Sequence, residues 1–142
     1  MPILSQRGRL ALAVVVDIAL AEAPLRQKEL TTRHRLSPRF FEPMLQTLAK
    51  AGVLRGIRGP FGGYTLARAP EAITCAEVVR AVLETAEAGE FGLLPASIEM
   101  TITPLTLEAE RDYFDRLERI SIAALCTKAE ALDIIRSLKT ES

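Results

Sequence analysis

The sequence predicts a mainly α-helical chain in which a helix–turn–helix leads into a two-stranded β-hairpin and then into a long helical C-terminal region. Three observations carry this. Leu36-Ser37-Pro38 reads as a turn and a fresh helix start between two helical stretches. The run Arg58-Gly59-Pro60-Phe61-Gly62-Gly63-Tyr64-Thr65-Leu66-Ala67-Arg68 joins backbone-bending residues to a short apolar alternation, with a cation at each end. Beyond Pro104 the chain reads as strongly helical to Leu138.

In chain order, a first helix starts at Ser5 or Gly8 and ends before Ala23-Pro24, close to Glu22. Its apolar run over residues 10–21 is too short to span a bilayer and is interrupted by Asp17, so it reads as a buried helix rather than a signal peptide or membrane span. A second helix fits Gln27 to His34, with Leu30 facing the core. Ser37 is the N-cap and Pro38 the first residue of a third helix, which runs through Phe41, Leu45, Leu48 and Ala49 until Gly52 stops it. Pro43 lies inside this helix and is expected to kink it or tighten its first turn.

Leu54 to Ile57 and Tyr64 to Ala67 form the hairpin strands, with Tyr64 and Leu66 on one face and the glycine pairs at the turn. Thr74 and Glu77 make a capping box for a fourth helix, from Cys75 to about Thr85, with Val78, Val79 and Val82 inward. Residues 86–104 hold Gly89, Gly92, Pro95 and Pro104 and read as a loop, locally extended over residues 98–102. Its apolar residues, Phe91, Leu93, Leu94, Ile98, Met100 and Ile102, read as packing. In the last region Leu107, Phe114, Leu117, Ser121, Ala124 and Leu125 line one face, which needs a partner surface, and Ser121 can divide the helix. The division is therefore residues 1–85, the 86–104 loop, and a helical region over 105–142.

The 142 residues are 49% hydrophobic, enough for one compact core. A formal net charge of zero hides an asymmetry: residues 1–70 carry 11 Lys/Arg against 4 Asp/Glu, and residues 71–142 carry 7 against 14. Only the first half suits a polyanion. Two distant cysteines, Cys75 and Cys126, make no disulfide framework and point to a reduced, cytoplasmic setting.

A helix–turn–helix followed by a basic hairpin suits double-stranded DNA, one element in the major groove and the other against the backbone or minor groove. The reading helix would present Ser37, Pro38, Arg39, Phe40 and Glu42. Arg39 can donate to guanine or phosphate, and Glu42 can accept from cytosine N4. Arg55, Arg58 and Arg68 have no acid among them from Leu54 to Pro70, and Arg58 at the tip suits a narrow minor groove. Arg9, Arg26, Lys28, Arg33 and Arg35 are expected on phosphates. The alternative is a protein-interaction module whose working surface is the acidic half. No Ser/His/Asp arrangement, phosphate loop or paired-carboxylate motif supports an enzyme, and His34, the lone histidine, builds no site by itself.

The wing stretch Arg58-Gly59-Pro60-x-Gly62-Gly63-Tyr64-x-Leu66-Ala67-Arg68, with Phe41-Glu42-x-x-Leu45-x-x-Leu48-x-Lys50-Ala51-Gly52 before it, resembles the Rrf family of bacterial winged-helix transcription regulators. The similarity extends over residues 5–21, 73–82 and the late helix. The resemblance implies a symmetric homodimer whose late helix crosses its partner, with Leu107, Phe114, Leu117, Ser121 and Ala124 at the interface, and two winged domains reading a pseudo-palindrome. Arg39 and Glu42 match recognition positions, Arg58 matches the wing arginine, and Gly59, Gly62, Gly63 and Tyr64 of the wing motif are expected at the DNA interface with them.

Cluster-binding members carry three cysteines in the loop before the dimer helix. Here residues 86–104 hold no Cys and no His, so no iron–sulfur cluster is expected, because such clusters need about four ligands, mostly thiolates. The loop is then a vestige, a wall for a small-molecule effector, or a docking segment for a protein effector. Cys75, near a helix N-terminus, is a candidate redox thiol against the simpler reading of a small core residue.

Overall fold

The computed structural model describes residues 5–83 and 95–141. Helix α1 (Gln6–Leu20) starts where Ser5 Oγ accepts the Gly8 N–H at 3.0 Å. It supplies the middle of the core: Ala11, Val14, Val15 and Ile18 are buried, chiefly against α4 (Cys75–Leu83) and α6 (Ile122–Glu141). Helix α2 (Gln27–His34) buries Leu30, and α3 (Pro38–Lys50) buries Phe41, Met44, Leu45 and Leu48. Ser37 caps α3 as expected, its hydroxyl accepting the Arg39 N–H at 3.3 Å. Pro43 is accommodated within α3, whose buried face runs past it from Phe41 to Leu48.

Strand β1 (Leu54–Ile57) pairs antiparallel with β2 (Gly63–Leu66), Leu54 opposite Leu66 and Ile57 opposite Gly63. Leu25 adds a bridge on the outer side of β2, exchanging both backbone hydrogen bonds with Tyr64 at 2.8 and 3.1 Å. The hairpin is thereby stitched to the chain that enters α2. A 3₁₀ turn over Pro70–Ala72 leads to α4, whose first turn is capped by Thr74 Oγ1 from the Glu77 N–H at 3.2 Å. Only this half of the expected capping box is used, since the Glu77 carboxylate is engaged by Arg68 at 2.7 Å. The expected end of the fourth helix near Thr85, and residues 86–94 of the expected loop, lie outside the described residues.

Residues 96–104 differ from expectation: they are not loop or extended chain but the first turns of α5 (Ala96–Glu118). Pro95 immediately precedes the helix, where its missing N–H costs nothing, and its carbonyl accepts from Ile98 and Glu99. Thr101 and Thr106 hydroxyls bond back to the carbonyls of Ser97 and Thr103, so residues that read as β-formers fold their polar groups onto the helix. Pro104 is carried inside α5. Ile98, Met100 and Ile102, expected as packing, are exposed, as are Leu105 and Leu107.

The expected division at Ser121 is present. Helix α5 stops at Glu118, and Ser121 Oγ accepts the Ala124 N–H at 3.1 Å to start α6. The break is tied to the entry of α4 by Cys75 N–H to Ile120 O and Ile122 N–H to Ile73 O, both 2.8 Å. One consequence reshapes the expected interface face. Phe114 is buried against Ala76 and Val79 with the Arg80 guanidinium 4.6 Å from its ring centroid, and Leu117 packs beside it. Phe114 belongs to this chain's own core and Leu117, half-buried, packs against it, because the second half of α5 lies on α4. Ser121 is half-buried in the break, and only Leu107 and Ala124 of the expected set are exposed.

Candidate nucleic-acid interface

The N-terminal turns of α3 stand clear of the core. Ser37, Pro38, Arg39, Phe40, Glu42 and Pro43 are all exposed, while Phe41 between them is buried. Helix amphipathicity produces this split: Phe41, Met44, Leu45 and Leu48 recur at helical spacing and face inward. Gln27 Nε2 donates to Pro38 O at 3.3 Å and holds the start of α3 against α2. A groove of about 360 Å³ lies there, lined by Gln27, Lys28, Thr31, Thr32 and Pro38, which places Lys28 near the start of α3. On the other flank, Arg7 and Arg39 share a groove of about 510 Å³ between α1 and α3.

The hairpin is shaped by three glycines. Gly59 has φ +109° and Gly63 φ +145°. A Cβ on Gly62 would lie 2.1 Å from Ile57 O, and one on Gly63 would lie 2.6 Å from Leu25 O. These glycines are therefore required by the fold of the wing itself. Arg58 is exposed at its tip. Tyr64, expected at the interface, is half-buried at the foot of the hairpin and packs on the core.

The expected cations divide into two groups. Arg9, Lys28, Arg35, Arg39, Arg55 and Arg58 are exposed on this half of the molecule. Three others are held by the protein. Arg33 Nη2 is 3.0 Å from Asp17 Oδ1. Arg26 Nε donates to Gly62 O at 3.4 Å. Arg68 spans Gly52 O, Ala72 O and Glu77 and ties the hairpin's exit to α4. Arg33 remains more than half exposed, so its ion pair is weak, whereas Arg68, also at the surface, has its donors shared among three protein acceptors.

Asp17 read in the sequence only as a break in the apolar run of α1, and its partners were missed. Its two oxygens take Arg33 and His34, the latter at 2.6 Å, and the His34 ring packs 5.9 Å from Phe41. One carboxylate on α1 thereby positions the end of α2 and, through His34, the buried side of α3. The available signal was an acid in the middle of an otherwise apolar helix.

Cys75 is buried, and burial pushes its thiol above the usual cysteine range. Burial and the raised thiol both favour the simpler reading of Cys75 as a small core residue, since a thiol that resists ionisation is a poor nucleophile. We expect Cys75 to resist alkylation by iodoacetamide at neutral pH in the folded chain and to react once denatured. Rapid labelling of native Cys75 by mass spectrometry would contradict the burial.

Among the described residues, no three His, Cys, Asp or Glu side chains gather to hold a metal ion, and no helix is long and apolar enough to cross a membrane.

A helix–turn–helix with an exposed second helix and a basic hairpin fixed to it defines a winged-helix architecture. Comparison with known proteins agrees: the chain belongs to the Rrf2 family, described as "Iron-dependent Transcriptional regulator", whose profile matches residues 4–128. That is a family of transcription regulators, not of enzymes. The chain is 38% identical over 93 residues to the HTH-type transcriptional regulator IscR of Cereibacter sphaeroides, covering 63% of this chain and 60% of that relative. It is 32% identical over 141 residues to the IscR of Photorhabdus laumondii, covering 92% and 83%. The solved structure of T. potens IscR superposes with a TM-score of 0.71 at 24% identity, covering 93% of this chain and 90% of that one. The match thus spans under two thirds of the Cereibacter relative's length.

Proposed function

We propose that this chain is a sequence-specific transcriptional repressor that binds a pseudo-palindromic operator as a homodimer and works without an iron–sulfur cluster. The observation that carries the DNA reading is the Leu25–Tyr64 bridge, which locks the basic wing to the entry of the helix–turn–helix, so that Arg39 and Glu42 on α3 and Arg58 on the wing address one duplex together. Arg39 and Glu42 supply base readout, and Arg9, Lys28 and Arg35 supply phosphate affinity. The exposed apolar residues of α5, Ile98, Met100, Ile102, Leu105 and Leu107, support a second copy as the surface that covers them.

The cluster-free reading rests on the donor set. Cys75 is buried in the core and Cys126 packs against it, and residues 76–125 contain no Cys or His. These residues do not fit a thiolate-held cluster, and the signal is then a small-molecule or protein effector.

Selection of bound sequences from random duplex DNA tests this, with the native chain and Arg58→Ala in parallel. The native chain should enrich an inverted repeat. Arg58→Ala should weaken binding to it by about 10- to 100-fold, or roughly 1–3 kcal/mol. Unchanged affinity would remove Arg58 from the interface. No enrichment with or without cell extract would favour a module that docks a protein through the acidic half.

A further inference from the structure

We infer that Phe61 is an apolar wedge that the wing inserts into the DNA minor groove beside Arg58, so that the wing reads how easily a base step deforms as well as groove charge. This rests on the DNA-binding reading above and assigns a role to a residue that the wing motif leaves open. Phe61 is 89% exposed, the most exposed large hydrophobic side chain among the described residues. Water does not favour that placement. The turn imposes it.

Gly62 N–H donates to Gly59 O at 3.0 Å and closes a turn with Pro60 and Phe61 at its centre. Proline suits the first central position because its φ is already set. Behind the turn, Gly62 lies so close to Ile57 O that not even a methyl group fits. The backbone at Phe61 is thus held from both sides. Holding an aromatic ring on a stiff support lowers the entropy lost when it packs against a partner.

The surroundings select the partner. Arg55 on β1 and Arg58 at the start of the turn precede Phe61, and residues 54–70 contain no acid. A surface that receives this tip must be anionic and must offer an apolar slot. The minor groove does both: its phosphates and narrow walls attract the arginine, while sugar edges and base steps accept an apolar side chain that partly unstacks them. Phe61 has no donor or acceptor and reads no base edge. Its selectivity comes from the lower cost of opening pyrimidine–purine steps.

The test uses the duplex that the full native chain recovers in the selection, labelled at both ends for energy transfer and carrying 2-aminopurine at the step beneath the wing. Phe61→Ala should weaken binding roughly tenfold or more, reduce the bend and abolish the 2-aminopurine signal. Phe61→Leu should restore most of all three. The salt dependence of Phe61→Ala should match the native chain, because no phosphate contact is lost, whereas Arg58→Ala should lower the slope by about one if Arg58 contacts a phosphate. Equal affinity and bend for Phe61→Ala would overturn the wedge while leaving DNA binding intact. So would a loss that leucine does not restore. Failure of the native chain to enrich any duplex would remove the DNA reading and the wedge with it.

Discussion

Phe41→Ala is expected to destabilise the chain by about 3–5 kcal/mol, the usual cost of emptying a buried aromatic site. Phe41 is fully buried on the inner face of α3, against His34 and within the core cluster that includes α1 and α4. Its neighbour Phe40 is 62% exposed, so Phe40→Ala should change stability by less than about 1 kcal/mol. The pair controls for helix propensity, since both substitutions place alanine at adjacent positions of α3. Denaturant unfolding at one fixed protomer concentration checks both, because dimerisation would make the midpoint depend on concentration. Equal effects at the two positions would mean that α3 does not present this face to the core. Phe41→Ala should also weaken DNA binding, since α3 loses the anchor that aims Arg39 and Glu42.

Gly62→Ala should open the wing. The added methyl would meet Ile57 O at 2.1 Å and atoms of Arg58 and Gly59 at 3.0 Å. All are backbone atoms in a paired hairpin, so no flexible side chain can move aside. The expected loss is roughly 1–3 kcal/mol of stability. Operator affinity should fall at least as far as in Arg58→Ala, because Arg58 and Phe61 lose their support together. Gly52→Ala is the control. Gly52 also has a positive φ, +80°, but nothing lies within 4 Å of its Cβ position. That substitution should cost about 1–2 kcal/mol and leave the wing's DNA contacts in place. Full operator binding by Gly62→Ala, measured beside Gly52→Ala, would contradict the crowding at Gly62.

Much of the architecture was legible because its signals are local. Gln27–His34 was bounded correctly by a proline-ended entry and a turn. Ser37 and Pro38 marked the start of α3, and Ser121 marked the break between α5 and α6, each through a hydroxyl that caps backbone N–H groups within three residues. The wing's glycine pairs announced a turn that few other residues can make. The first turns of α5 were hidden for a local reason as well: two prolines and a run of threonine and isoleucine argue against a helix until the proline positions and hydroxyl partners are known.

The interface was legible in its residue types but not in their availability. By itself the sequence determined a basic half, a helix–turn–helix with Arg39 and Glu42 at the front of its second helix, and a glycine-shaped wing carrying Arg58. Only the tertiary structure decided that Arg33 answers to Asp17, that Arg68 serves Glu77 and two carbonyls, that Phe114 belongs to the core, and that Phe61 stands in solvent. Caps and turns are settled by atoms a few residues apart. Charge pairing and burial depend on partners such as Asp17 and Arg33, or Arg80 and Glu118, that are 16 and 38 residues apart in the chain and meet only when the helices pack.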